Sequence, residues 1–175
     1  MKTLIVIDMQ NDFIDGALAN PDAQKIVDGT VRLVSEWEGE IIFTRDTHGE
    51  IYMSTEEGRN LPIPHCIKNT DGWQIRSEIY KAATANPKAI VKTVDKPAFG
   101  AGTLLYEAVV KDTVPEKITF TGTCTDICVV SNALILKSLL TETPMIVIEP
   151  LCAGLTKEKH NAAIEVMKSC QIAVE

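Results

Sequence analysis

Short apolar runs alternate along the chain with stretches in which apolar residues recur every three or four positions. The first pattern predicts buried strands and the second amphipathic helices. Lys2–Ile7 predicts an opening strand, and Ala23–Trp37 a helix with Ile26, Val27, Val31, Leu33 and Val34 on its buried face. Glu40–Thr44 predicts a second strand, followed by an irregular section from Arg45 to about Asp71. Trp73–Thr84 has helical spacing, Ala89–Thr93 is strand-like, and the loop KPAFGAG leads into a helix near Thr103–Lys111. Strand Lys117–Thr121, helix Asp126–Leu140, strand Pro144–Ile148, helix Thr156–Cys170 and a last strand near Gln171–Val174 complete the series.

Strands that alternate with helices in this way imply βαβ units. The predicted fold is α/β: one three-layer, Rossmann-like domain over residues 1–175, with a mostly parallel central sheet covered by helices on both faces. Pro144 and Pro150 bracket a strand in this scheme rather than interrupt one. Ligands of open parallel sheets bind beyond the carboxyl ends of the strands, so the residues that follow each strand carry the chemistry.

Composition narrows the classes. The 175 residues are 45% hydrophobic and 23% charged, ordinary for a globular domain. The net charge of −7 argues against nucleic-acid binding, which needs basic patches. No apolar run has the length of a membrane span. The N-terminal MKTLIVIDMQNDF carries acidic residues and no small-residue cleavage site, so it predicts a strand of a cytoplasmic protein rather than a signal peptide. Five cysteines at irregular spacing form neither a disulfide framework nor a zinc CxxC pair, and reduced thiols are the simplest expectation. Gly100-Ala101-Gly102 lacks the third glycine of a dinucleotide fingerprint, and no P-loop occurs.

Four strand ends carry reactive groups. Asp8 follows the first, Arg45-Asp46-Thr47-His48 the second, Asp95-Lys96 the third and Cys124–Cys128 the fourth. Singly, an aspartate after a strand is commonly a cap, a lysine a solvated surface group and a cysteine a small hydrophobe; Cys124, Cys152 and Cys170 take that last reading. Cys128 differs, because the predicted helix starts beside it and unpaired N–H groups there lower a thiol pKa and can hold an oxyanion. Asp46 and His48, two apart on an extended segment, point to one side. With His65 they make an Asp-plus-two-His set that leaves coordination positions open. His160 in the last helix receives no role.

The segments LIVIDMQNDF, RDTH, PHC, DKPAFG and GTCTDICV together resemble the isochorismatase-like cysteine hydrolases, and among them the nicotinamidases, over essentially the whole chain. The resemblance implies a catalytic triad of Asp8, Lys96 and Cys128. It also implies a divalent metal, zinc first with iron or manganese as alternatives, on Asp46, His48 and His65, completed by Glu57 with Glu56 in reserve. It further implies a cis peptide at Thr123–Cys124 and an oxyanion hole of the backbone N–H groups of Cys124 and Cys128, with Phe13, Thr123 and Ile127 around the substrate. Three departures from relatives stand out. Phe99 follows Lys96 closely, which leaves Lys92 as an alternative amine. Pro62 replaces an aromatic residue, whose place Trp73 or Tyr52 could take. The residue before the nucleophile is the apolar Ile127. The implied activity is hydrolysis of a small carboxamide such as nicotinamide through a cysteine thioester, in a cytoplasmic homo-oligomer that binds neither nucleic acid nor membrane. A related hydrolase acting on another amide or carbamoyl compound, and a metal-binding protein without turnover, are the alternatives.

Overall fold

The structure, a computed structural model, describes residues 1–111 and 113–175. Strand β1 (Lys2–Ile7) is fully apolar after Thr3 and buried throughout from there. Its alternate residues serve two cores: Leu4 and Val6 pack on one face, Ile5 and Ile7 on the other. Both faces are therefore covered, which is why the run reads as continuously hydrophobic.

The chain continues through a short helix α1 (Asn11–Ile14), helix α2 (Pro21–Glu36), strand β2 (Gly39–Asp46), a 3₁₀ turn at Tyr52–Ser54, α3 (Glu56–Asn60), α4 (Ser77–Ala85) and β3 (Ala89–Lys96). Helix α5 (Thr103–Val110), β4 (Lys117–Thr123), a π-helical turn at Thr125–Val129, α6 (Val130–Leu139), β5 (Met145–Ala153), α7 (Lys157–Ser169) and β6 (Ala173–Val174) follow. The described residues form a six-stranded sheet in the order β3-β2-β1-β4-β5-β6, with every pair parallel. Helices α2 and α4 cover one face, while α5, α6 and α7 cover the other. The strand order reverses between β1 and β4, and a crevice opens at such a switch point. Among the described residues no helix is long and apolar enough to cross a membrane.

Several boundaries move for identifiable reasons. Helix α2 starts earlier than its apolar period, because the Asn20 side chain accepts from Asp22 N (2.9 Å) and Pro21 occupies the first turn. Trp73 does not open α4; its indole N–H donates to Thr47 Oγ1 (2.8 Å), and the Arg45 guanidinium lies 3.6 Å over its ring. Pro150 lies inside β5 rather than beyond it. Phe120 pairs with Val147 but Gly122 with Cys152, so a bulge takes up the intervening residues and the missing N–H is not needed there. Two short helices, α1 and α3, fall in segments whose sequence carries no helical period.

Candidate active site

Four loops meet at the carboxyl edge of the sheet around the β1–β4 crevice. Asp8 stands one residue past β1 with φ +46°, a left-handed backbone that few non-glycine residues adopt. Thr44 of β2 fixes it twice: Asp8 N donates to Thr44 Oγ1 (3.1 Å), and that hydroxyl donates to Asp8 Oδ1 (2.6 Å). Gln10 joins the same two strands. Its Nε2 donates to the carbonyls of Asp46 and Trp73 (both 2.9 Å), and its Oε1 accepts from Asp46 N (2.7 Å). Neither Thr44 nor Gln10 was singled out from the sequence. Gln10 sits inside the DMQNDF segment, so an amide right after a buried strand was the available signal.

Lys96 ends β3 and is wholly buried. Its ammonium lies 2.8 Å from Asp8 Oδ2, 3.2 Å from Asp46 Oδ1 and 3.5 Å from Cys128 Sγ, and it donates to the Ala98 carbonyl at 3.0 Å. One cation thus touches the acid, the thiol and the first of the metal-type carboxylates. Lys92 ion-pairs elsewhere, with Glu40, and its Nζ lies 3.4 Å from the Ala108 carbonyl.

Burial pulls the Lys96 ammonium down, but Asp8, Cys128 and Asp46 outweigh it and raise its pKa above the ordinary lysine value. Burial raises Asp8 above the usual carboxylate range despite the opposing Lys96 charge. Burial also raises Asp46, yet hydrogen bonds from His48 and His65 together with Lys96 hold it well below that range. Cys128 is pushed well above the ordinary thiol value by burial first and the Asp8 carboxylate second. That overturns the expectation of a lowered thiol pKa. Cys128 does lie in the first helical turn after β4, but desolvation and a facing carboxylate are the larger effects. The resting pair is a neutral thiol beside an acid able to take its proton.

Asp46, His48, Glu57 and His65 present ligand atoms that all lie within 4.8 Å of one another. His48 Nε2 is 2.8 Å from Asp46 Oδ2 and 3.6 Å from Glu57 Oε1, while His65 Nε2 is 3.5 Å and 3.7 Å from the same atoms. His65 Nδ1 faces the Ile63 carbonyl (2.9 Å), so with a cation bound a proton on Nδ1 would leave Nε2 to donate its lone pair. Two imidazoles and two carboxylates converging this closely suit a divalent cation. Glu56 points outward to Arg59 and Asn60.

A cavity of about 550 Å³ is lined by Asp46, Glu57 and His65 together with Cys124 and Cys128. Phe13, Leu18, Leu61, Phe99, Ile127 and Leu155 add apolar walls. Thr123, expected in the pocket, is fully buried behind it, with its hydroxyl donating to the Ala153 carbonyl (3.1 Å) and lying 3.4 Å from Cys124 Sγ. Neither Trp73 nor Tyr52 takes the place of the missing aromatic residue. Trp73 is held under Arg45, and Tyr52 packs on the rings of His48 and His65 at 4.8 and 5.1 Å with its hydroxyl on the Leu61 carbonyl. Leu18, Leu61, Phe99 and Leu155 lie in loops without periodic pattern, which hid them as pocket residues. The Thr123–Cys124 peptide is cis. Gly122 stands where β4 passes β1: its φ is +123°, and a Cβ there would meet the Ile7 carbonyl oxygen at 2.1 Å. A second cavity of about 400 Å³, between α2 and α7, touches none of these groups.

The sequence profile of the isochorismatase domain matches residues 2–175. The chain belongs to the isochorismatase family. Within that family it is 30% identical to an isochorismatase family protein of Bacillus subtilis over 142 residues, 76% of each chain. It is 31% identical to the nicotinamidase of Saccharomyces cerevisiae over 126 residues, 55% of this chain, and spans 56% of that relative's length. Among solved structures of the isochorismatase fold, the pyrazinamidase of Pyrococcus horikoshii in complex with zinc superposes with a TM-score of 0.79 at 28% identity. That match covers 99% of this chain and 98% of the other.

Proposed function

We propose that residues 1–175 form one hydrolase domain that converts a small, neutral, ring-bearing carboxamide, nicotinamide foremost, into the carboxylic acid and ammonia. The observation that carries this reading is the fully buried Lys96 ammonium, in reach at once of Asp8 and of two residues that line one cavity, Asp46 and Cys128. The names of the yeast nicotinamidase and the Pyrococcus horikoshii pyrazinamidase support the same substrate class. So does the lining: among the described residues the cavity wall offers Asp46 and Glu57 but no lysine or arginine, which disfavours an anionic substrate.

In this reading Cys128 Sγ attacks the carboxamide carbon while Asp8 accepts the thiol proton; the raised pKa of Asp8 favours that transfer, and the raised pKa of the buried thiol opposes it. Lys96 keeps Asp8 ionised beforehand and compensates the sulfur as charge develops. The backbone N–H groups of Cys124 and Cys128 receive the oxyanion, each worth about 3 kcal/mol. Asp8 then returns its proton to the leaving nitrogen, and ammonia departs from the thioester. Water attacks the acyl carbon, giving a proton to Asp8; the C–S bond breaks, the acid is released, and the thiol regains the proton.

A divalent ion on Asp46, His48, Glu57 and His65 would supply Lewis-acid anchoring in the same cavity as Cys128. Zinc is the proposed ion, as in the Pyrococcus horikoshii complex, with iron or manganese suited to the same donors. Phe13 and Ile127 flank the ring between ion and nucleophile. The reading also takes in a cytoplasmic homo-oligomer, to be checked by light scattering. The main test is ammonia release from nicotinamide, pyrazinamide and propionamide by metal-loaded protein. Turnover of the two ring amides is expected; no ammonia from any of the three would refute the reading.

A further inference from the structure

Asn132 lies in α6 one turn beyond Cys128 and is fully buried. Its amide makes three hydrogen bonds to backbone atoms. Nδ2 donates to the Cys128 carbonyl (2.7 Å) and the Phe99 carbonyl (3.1 Å), and Oδ1 accepts from Ala101 N (2.8 Å). The orientation of the amide follows from these partners, because a flipped side chain would set its NH₂ against the Ala101 N–H and its oxygen against two carbonyls.

The segment so tied is the short connection from Lys96 to Ala101. Its near end is held by the Lys96 ammonium on the Ala98 carbonyl. Its middle lies flush on α6, where a Cβ at Gly100 would come within 2.4 Å of Ile135 Cδ1. Phe99, between these points, is 49% exposed at the rim and still lines the cavity. Its side chain therefore depends on where the backbone is pinned, and Asn132 pins that backbone to the carbonyl of the nucleophile itself.

We propose that Asn132 is a positioning residue: by tying Phe99 and Ala101 to the Cys128 carbonyl, it sets Phe99 as a wall of the cavity and so governs the fit of planar aromatic amides. For its kinetic arm this rests on the amidase reading above. Nothing in the TDICV segment or in the spacing of α6 marks Asn132, since an apolar period running through 129–140 makes it look like a polar interruption.

Asn132→Ser, Phe99→Ala and the double variant test the idea. Both single variants should raise KM for nicotinamide about tenfold, the scale of one lost ring contact, and KM for propionamide by clearly less, with kcat within about threefold for both. The double variant should be no worse than the poorer single one, since both act through one wall. Additive losses, or a fall in kcat shared equally by nicotinamide and propionamide, would overturn the proposal. Alkylation of Cys128, followed by mass spectrometry, keeps the test independent of the substrate. Asn132→Ser should raise the rate with N-phenylmaleimide relative to iodoacetamide about tenfold as the wall loosens, and an unchanged ratio overturns the inference. Wild-type protein that releases no ammonia defeats the amidase reading alone and leaves the alkylation result standing. Should Asn132→Ser fail to fold, Phe99→Ala, altered at a half-exposed side chain, must by itself change KM and the alkylation ratio with an unaltered Tm. Wild-type values in that variant would likewise overturn the proposal.

Discussion

Thr44→Val isolates the setting of Asp8 without changing the shape of the side chain. The substitution removes the hydroxyl that donates to Asp8 Oδ1 at 2.6 Å and that accepts from Asp8 N at 3.1 Å, both in a fully buried environment. A hydrogen bond to a charged group is worth about 1.5–3 kcal/mol, and an orphaned buried N–H adds a penalty of about 1–3 kcal/mol. A loss of about 3 kcal/mol translates into a Tm lower by about 6–12 °C for a chain of this size. The sign with pH follows from Asp8, whose folded pKa already lies above its ordinary value and which Thr44 holds down. A carboxyl raised on folding contributes stability at low pH that is lost as pH rises through the folded pKa. The valine variant raises Asp8 further, so its Tm deficit should widen as pH rises above the ordinary carboxylate range. The same loss moves the acid limb of kcat/KM upward by about one to two pH units. Calorimetry and a pH–rate profile measure the two effects. A variant with the parental acid limb and a Tm deficit independent of pH would show that Thr44 does not tune Asp8.

Cys128→Ala should reduce ammonia release by at least about a thousandfold while circular dichroism and metal content stay at wild-type values; measurable residual amidase activity would refute the nucleophile assignment. His48→Ala should lose most bound metal by elemental analysis and raise KM well above its effect on kcat, because it removes one donor of the four-residue group. Gly122→Ala should lower Tm by more than about 8 °C or prevent folding, since the new Cβ collides with the Ile7 backbone; a normally stable variant would contradict the closeness of β1 and β4.

The fold was legible wherever burial is periodic. Lys2–Ile7 is bounded as its apolar run predicts, and the order of the later strands and of the helices other than α1 and α3 follows from spacing. Legibility fails between Thr47 and Arg76, where side chains rather than periodicity decide the path. Asp12 accepts from Ala17 N and Cys66 N, Gln10 ties Asp46 to Trp73, and Arg45 stacks on Trp73. Interactions of that kind join residues far apart in sequence and leave no local pattern. Asp8, Asp46, His48, Lys96 and Cys128 could be nominated because strand ends converge in a parallel sheet, whereas their grouping as a triad and the choice of Glu57 came from the family resemblance. The thiol pKa could not, because it depends on how deeply Cys128 is buried and on which carboxylate faces it. Thr123 was misplaced for a related reason: side-chain direction at the last residue of β4 turns on the local backbone, which composition does not encode.

Asp8 extends from β1, third in the six-strand order and screened on both faces by helices. Segments of that kind exchange their amide protons last and open only when everything around them does. The proposed proton acceptor is thus fastened to the part of the molecule that melts latest. Heat inactivation should accordingly track loss of the whole tertiary structure, with no earlier stage in which an intact protein has a disordered acid.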